Sequence, residues 1–296
     1  PESYQAYNNM GSLFGRKGDV EAAVACYRAG LEKAPDNPVL QENLAKFARA
    51  LQLNAESVDT DGDNPPASYT LSCCIIVRNG STTFTRCLES VVGAVDEICV
   101  VDTGSDDDSI EIAQRYGARI ERVPWCDDFA AARNRSLDMA ACDWVVWMDA
   151  DDYLLPEDRG RLDRVRRLKP DRALYFTLVN EGGSERSRFR QIKMFPNLPD
   201  IRFSRPVHET VQPALECVGM VVAPTDVEVR HTGYADDTET ARKQRYYLQL
   251  MLEWLESNPD DYDIRFRVGH TYFADGRGDL AIECFDCILD AGPQGV

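Results

Sequence analysis

Between Leu71 and Asp152 short apolar runs alternate with amphipathic stretches, and this alternation constrains the fold more than any other feature of the chain. "LSCCIIV", "EICVVD", "ARIERVP" and "DWVVWMDAD" read as strands. "TFTRCLESVVGAV", "DDSIEIAQRYG" and "DFAAARNRSLDMA" read as the helices between them. A β-α-β-α-β-α-β series predicts a parallel sheet sandwiched by helices. In such sheets ligands bind beyond the carboxyl ends of the strands. Two of the strands deliver acids to that edge, one at Asp102 and one at Asp149, Asp151 and Asp152.

The second of these edges is the harder to account for. "WVVWMDADDYL" begins as a buried strand and ends in three carboxylates, and unpaired charge is costly to bury. Carboxylates in the pattern Asp-x-Asp can share a hard divalent cation, which prefers oxygen ligands and often completes its shell with substrate phosphates. The same residues also suit an acidic turn that caps the next helix. Net charge bears on the choice. At −17 the chain is a poor match for nucleic acid or an anionic membrane, so any phosphate it binds needs a local basic patch or a metal ion.

The two ends of the chain resemble each other. At one constant offset Gly11 meets Gly269, Ala23 meets Ala281, Cys26 meets Cys284 and Leu31 meets Leu289. The pattern resembles the tetratricopeptide repeat, a two-helix hairpin with small residues where the helices cross. Single repeats need a neighbour to cover their apolar face. The helix carrying Leu40, Leu44 and Phe47 supplies one at the front, and "RKQRYYLQLMLEWLE" offers one at the back. The polar, Pro-containing stretch "AESVDTDGDNPPAS" marks a boundary. The expected organisation is a helical region over 1–55, a linker over 56–69, the sheet domain over 70–235 and a second helical region over 236–296.

The ten cysteines are irregularly spaced, several inside apolar runs, and are expected to be free buried thiols in a reducing cytoplasm. The Cys284–Cys287 pair is too small for a four-ligand zinc site, and the repeat alignment makes Cys284 a packing position. No apolar stretch approaches the ~20 residues that span a bilayer. The first residue is Pro1 rather than Met, as in a fragment of a longer chain, and cytoplasmic is the default location.

The block from Leu71 to Leu155 resembles the catalytic half of family 2 glycosyltransferases with the GT-A fold. "CIIVRN", "CLESV…VDEICVVDTGSDDDS", "VPWCDDFAAARNRSL" and "WVVWMDADD" carry the likeness in order. More narrowly it resembles the bacterial subgroup joined to tetratricopeptide repeats. The fold this implies is an α/β GT-A core, Rossmann-like, flanked by all-α helical hairpins. By position, the resemblance places Ile76 and Val77 against the nucleotide base and Asp102 on its ring or ribose. It places Arg133 and Asn134 on the base and ribose side, Asp149 on ribose or metal-bound water, and Asp149 and Asp151 at Mn2+ or Mg2+. His231 in "VEVRHTGYADD" would complete the metal shell, and a neutral imidazole suits Mn2+. Arg190 or Lys193 would face the donor phosphates, and the His208–Glu209 pair the acceptor. Glu209 is the candidate base, with Asp152 and Asp236 as alternatives.

Plainer readings stand beside these. Asp102 also suits a turn before Gly104, Arg133 an ion pair with Asp127 or Asp128, and Glu209 an ion pair with Arg205. The cation-rich run from Arg159 to Arg172 is interleaved with acids at helical spacing and reads as a solvated face. One departure from the family is Gly80, where most relatives carry an acid after the first-strand Asn. The expected function is metal-dependent, inverting sugar transfer from a nucleotide-diphosphate donor, UDP first. A polypeptide acceptor held by the helical repeats comes before a cell-envelope saccharide. The competing expectation is a repeat-based binding protein with a dead transferase core. A nucleotidyltransferase comes third, since "VRNGSTT" is a poor version of the Gly-rich basic loop it needs.

Overall fold

The computed structural model describes residues 3–16, 20–56, 69–181, 187–233 and 237–291. Most of the expected linker, and Asp236, lie outside these residues. Two compact units are formed. One comprises Pro1–Pro124, Ala132–Arg202 and Val211–Gly233, the other Trp125–Ala131, Phe203–Thr210 and Tyr234–Val296.

The first unit opens with helices α1 (Tyr4–Arg16), α2 (Val20–Lys33) and α3 (Pro38–Glu56). Pro38 takes the first helical position of α3, and Asn37 Oδ1 accepts the Leu40 N–H at 3.1 Å, so both signals of a helix start are met. Small residues let the helices cross closely. A Cβ added to Gly11 would lie 2.5 Å from the Tyr27 ring, and one on Gly15 would strike Phe47. Ala23, Tyr27 and Leu40 are buried there, with Leu31, Leu44 and Phe47 packed around them.

Helices α4 (Ser81–Val91), α5 (Ser109–Arg115), α6 (Phe129–Met139), α7 (Pro156–Val165) and α8 (Gln212–Cys217) accompany the strands. The strands are β1 (Leu71–Val77), β2 (Glu97–Asp102), β3 (Arg119–Arg122), β4 (Trp144–Asp149), β5 (Asp152–Tyr153), β6 (Ala173–Asn180), β7 (Arg188–Pro196) and β8 (Val222–His231). They form one mixed sheet in the order β3-β2-β1-β4-β7-β6-β8-β5. β1 is parallel to both β2 and β4, and β3 is parallel to β2. β7 turns the sheet antiparallel beside β4. The core is the expected α/β arrangement, a parallel Rossmann-like half continued by a less regular one. The chain leaves β1 for β2 on one side and returns as β4 on the other, which opens a crevice at the carboxyl ends of β1 and β4.

β1 is almost wholly buried because helices cover both its faces, and so it reads as an unbroken apolar run. Leu71, Cys73, Ile75 and Val77 share a core with Phe84, Cys87, Leu88 and Val91, the i, i+3, i+4, i+7 stripe of α4. Each such large apolar side chain contributes roughly 1.5–3 kcal/mol on burial. On the opposite face the Cys74 thiol donates to the Ser136 carbonyl of α6 at 3.3 Å. The edge strand β3 has exposed arginines at both ends, Arg119 and Arg122, which discourage further pairing.

The loops beyond β1 and β2 are stitched together. Asn79 N–H donates to Ser105 Oγ and Gly80 N–H to Ser109 Oγ, each at 2.9 Å. Ser81 N–H donates to Asp107 and Asp106 N–H to Asn79 Oδ1, again at 2.9 Å. Gly80 is tight for a reason visible here: a Cβ would lie 2.9 Å from Val77 Cγ2 and 3.3 Å from Ala150 Cβ. The space an acid would need in this chain is filled by those two side chains.

The second unit holds α9 (Asp237–Ser257), α10 (Tyr262–Ala274) and α11 (Gly278–Asp290). Leu248, Leu250 and Met251 of α9 cover Ile264, Val268, Tyr272 and Ala281 of the α10–α11 hairpin. The crossing repeats the first hairpin's device, with the would-be Cβ of Gly269 2.7 Å from the Phe285 ring and 3.0 Å from Cys284 Cβ. Cys284 is therefore a packing residue, and all ten cysteines are free. Asp261 caps α10 through Ile264 N–H and receives a two-pronged contact from Arg205, each prong 2.8 Å. No described helix is long and apolar enough to cross a membrane. Replacing Gly11 by Val would press a methyl into the Tyr27 ring. We expect ~1–3 kcal/mol of lost stability, read as a lower urea midpoint, with Gly269→Val acting likewise on the second hairpin.

Candidate active site

Strand β4 alternates its side chains, so Trp147 and Asp149 share one face and point away from the α4 core. Beyond Asp149 the chain turns through Ala150 and Asp151 and enters β5 at Asp152. β5 pairs antiparallel with the end of β8, which sets Asp152 opposite His231. Thr232 then donates to the Asp151 carbonyl through both its N–H and its hydroxyl. These pairings bring Asp149, Asp151, Asp152 and His231 together, with one ligand atom from each lying within 4.8 Å of all the others.

Two cations complete the cluster. Arg133, on α6 and almost fully buried, donates through Nη2 to Asp149 Oδ1 at 2.6 Å. Lys193 comes from β7, where the register against β6 slips: Leu174 faces Met194 but Tyr175 faces Ile192, and Lys193 is the extra residue. The bulge sends the lysine inward, where it is 0% exposed. Its ammonium lies 2.8 Å from Asp152 Oδ2 and 3.9 Å from Asp149 Oδ2. Both cations sit on Trp147, with Lys193 Nζ 3.6 Å and the Arg133 guanidinium carbon 4.1 Å from its ring centroid. The indole N–H donates to the Ile192 carbonyl at 2.8 Å, which fixes the ring.

Charge at the site follows from these contacts. Burial pushes the Asp149 carboxyl up, but Arg133, Lys193 and His231 outweigh it and hold it well below the usual carboxylate range. Asp151 is raised, first by burial and then by the neighbouring Asp149 and Asp152, against the pull of His231. The hydrogen bond to Asp152 raises the His231 imidazole, against desolvation. The donor set fits a divalent cation that accepts both oxygen and imidazole nitrogen. His231 turns Nδ1 toward Asp152 Oδ1 at 2.9 Å and Asp151 Oδ1 at 3.4 Å, leaving Nε2 as the other ring nitrogen. A Cβ at Gly233 would lie 3.1 Å from that Nε2, so glycine keeps the approach to it open.

The other sequence-derived candidates fall as follows. Ile76 pairs with Asp149 across β1 and β4, and Val77 with Asp102 across β1 and β2, so all four stand along one sheet edge. Asp102 is fully buried and accepts from Ser105 and Gly104 N–H, forming the turn, with Arg122 Nε 3.5 Å away. Asn134 follows Arg133 on α6 and is half-buried. Arg190 is exposed on β7 opposite Thr177, and its charge acts on Tyr175. Glu209 belongs to the second unit, half-buried beside the Ser204–Thr210 bridge, where Arg205 is engaged by Asp261 and Asp263. His208 beside it has a left-handed backbone, φ 54, and burial with the Arg267 charge lowers its pKa to about 4. Trp147 and Gly233 were not singled out by sequence reasoning. Trp147 was detectable, since a residue two before Asp149 in a strand shares its face.

The family model for glycosyl transferase family 2 matches residues 72–220, and the tetratricopeptide repeat model matches residues 4–37. The chain belongs to glycosyl transferase family 2. The chain is 36% identical over 216 residues to a TPR repeat-containing protein of Synechococcus elongatus, a match covering 70% of this chain and 53% of that protein. It is 35% identical over 101 residues to the SPbeta prophage-derived glycosyltransferase SunS of Bacillus subtilis, covering 33% of this chain and 24% of SunS. The chain thus spans about half the length of the first of these relatives and about a quarter of the second. Among solved structures, S. aureus TarS 1-349 superposes with a TM-score of 0.45 at 16% identity, covering 69% of this chain and 72% of that one. Glucosyl-3-phosphoglycerate synthase of Mycobacterium tuberculosis, in complex with Mn2+, UDP and glucosyl-3-phosphoglycerate, superposes with a TM-score of 0.46 at 18% identity, covering 68% and 82%. Gly233→Ala tests the open side of His231 without removing a charge. We expect unchanged thermal stability and an Mn2+ dissociation constant weakened about tenfold or more by calorimetric titration.

Proposed function

We propose that this chain is a metal-dependent, inverting glycosyltransferase that moves a sugar from a nucleotide-diphosphate donor, UDP first, to a polypeptide side chain. The observation that carries the reading is the Asp149–Asp151–His231 cluster at the carboxyl end of β4, beside the crevice where β1 separates β2 from β4. Asp151, His231 and Asp149 would hold Mn2+ or Mg2+. Bound there, the ion would offset the charge of the departing diphosphate as a Lewis acid.

The remaining roles belong to the chain's own side chains. Ile76 faces the nucleoside side of the crevice, and Arg133 with Asn134 closes it from α6, while the buried Val77 and Asp102 shape the edge behind it, Asp102 through its turn with Gly104 and Ser105. Arg133 also holds Asp149, so one guanidinium links the nucleoside side to the cluster. Of the two cations expected near the donor phosphates, Lys193 has its ammonium against Asp152 and Asp149, and Arg190, exposed on β7, is the other candidate for the phosphate role. Glu209 takes the acceptor hydroxyl's proton as that oxygen bonds the anomeric carbon and the carbon's bond to the diphosphate oxygen breaks. The flanking hairpins suit an extended peptide, the reason for placing a polypeptide ahead of a cell-envelope saccharide as acceptor.

The test is a titration with UDP and Mn2+, followed by donor hydrolysis and transfer assays over a panel of nucleotide sugars. Asp151→Ala is expected to abolish Mn2+-dependent UDP binding and to lower turnover at least a hundredfold. Intact binding and turnover in that variant would sink the mechanism, and no binding by the wild-type chain would favour a repeat scaffold with a dead core. Acid should oppose the metal in a defined direction. Ligation needs a neutral imidazole, and the His231 pKa is raised by Asp152, so Mn2+ affinity is full at alkaline pH. It falls as pH drops through the raised value, by about tenfold per unit below it, and His231→Asn should flatten that dependence while weakening binding throughout.

A further inference from the structure

We propose that Asp152 and Lys193 are a buried positioning pair that fixes the His231 ring, and that Asp152 neither ligates the cation nor takes the acceptor's proton. This rests on the reading of Asp149, Asp151 and His231 as the cation's site.

Both Asp152 oxygens are already committed. Oδ1 faces His231 Nδ1 at 2.9 Å, while Oδ2 accepts from Lys193 Nζ at 2.8 Å and from the Asp149 backbone N–H at 3.0 Å. The residue is 0% exposed, whereas Asp151 keeps 31% of its side chain exposed. A general base must reach its proton from an accessible lone pair, and Asp152 offers none to solvent. Membership of the four-residue cluster therefore does not make Asp152 a ligand, because its lone pairs point at N–H groups.

Lys193 supplies the second half of the argument. A fully buried ammonium costs several kcal/mol unless it is paired and surrounded by suitable partners. Here a register slip in β7, the Trp147 ring and two carboxylates combine to place it, with the short contact made to Asp152. The lysine holds Asp152 in place through that 2.8 Å contact. With Oδ2 accepting from Lys193 and the Asp149 N–H, Oδ1 is the acceptor for the imidazole, which selects the tautomer with its proton on Nδ1 and turns the Nε2 lone pair outward past Gly233. Carboxylate and imidazole then stand in series, and Nε2 is the ring atom that would hold a cation.

The experiment begins on metal-free protein, so that it does not depend on turnover. Long-range 1H–15N spectra, recorded at alkaline pH where the imidazole is neutral and with His231→Gln used for assignment, report which ring nitrogen carries the proton. The expected result in the wild type is Nδ1–H with Nε2 bare. A proton found on Nε2 instead would overturn the proposal. Removing one partner leaves a buried charge and threatens the fold, so the decisive variant is Asp152→Leu with Lys193→Met, which replaces the pair by apolar side chains of similar size. That variant is expected to unfold near the wild-type midpoint, to populate both His231 tautomers, and to bind Mn2+ 10–100-fold more weakly. Its kcat at saturating Mn2+ should fall far less than its Mn2+ affinity. A retained Nδ1–H tautomer with unchanged Mn2+ affinity would refute the positioning role. A thousandfold loss of kcat with unchanged Mn2+ affinity would make Asp152 the base. Failure of the wild type to bind Mn2+ would remove the proposed metal site, while the metal-free tautomer would still decide what Asp152 and Lys193 do to His231.

Discussion

The strand pairing of β1 with β2 on one side and β4 on the other is the constraint from which the site follows. Parallel neighbours end together, so Asp102 and Asp149 arrive at one edge, level with Val77 and Ile76. The rest of the sheet serves that edge from the antiparallel side. β7 delivers a lysine through its bulge, β8 delivers a histidine at its last residue, and β5 is little more than the two residues that catch it. Carboxylates gathered this closely would repel one another if left alone. Arg133 and Lys193, both resting on Trp147, hold Asp149 and Asp152 in check, which leaves Asp151 and the outer face of His231 as the groups with capacity to spare.

Much of the fold was legible because the sequence obeys local periodicity where the fold is regular. The four parallel strands and their helices appear where alternation and length place them, and the glycine-paired hairpins at both ends appear where the internal match puts them. Legibility stopped where geometry departs from period. The slip beside Lys193 breaks the two-residue rule, so naming Arg190 or Lys193 for the donor phosphates gave no way to see that Lys193 turns inward while Arg190 stays exposed. Asp149 and Asp151 were named from their spacing at a strand end and His231 from family resemblance, and what the sequence lacked was the β5–β8 pairing that joins them. That pairing involves only two residues of β5, too short a strand for any pattern.

The two helical hairpins show how far one packing device reaches. Each places a glycine against an aromatic ring at the helix crossing, Gly11 with Tyr27 and Gly269 with Phe285, and each is covered by a further helix, α3 in one case and α9 in the other. The covering helix follows the first hairpin in the chain and precedes the second. Repeats of this kind bury nothing useful alone, so the position of the cover along the chain matters less than its presence.

Gly80 shows how history constrains a site of this kind. With Val77 and Ala150 filling the room a side chain would need, position 80 cannot gain one independently of positions 77 and 150. An acid could enter at 80 only after its neighbours shrink, and a larger residue at 77 or 150 is tolerated only while 80 stays bare. The three positions are coupled across the first strand, the loop after it and the turn after β4, so what can enter at 80 depends on whether 77 or 150 has already been made smaller.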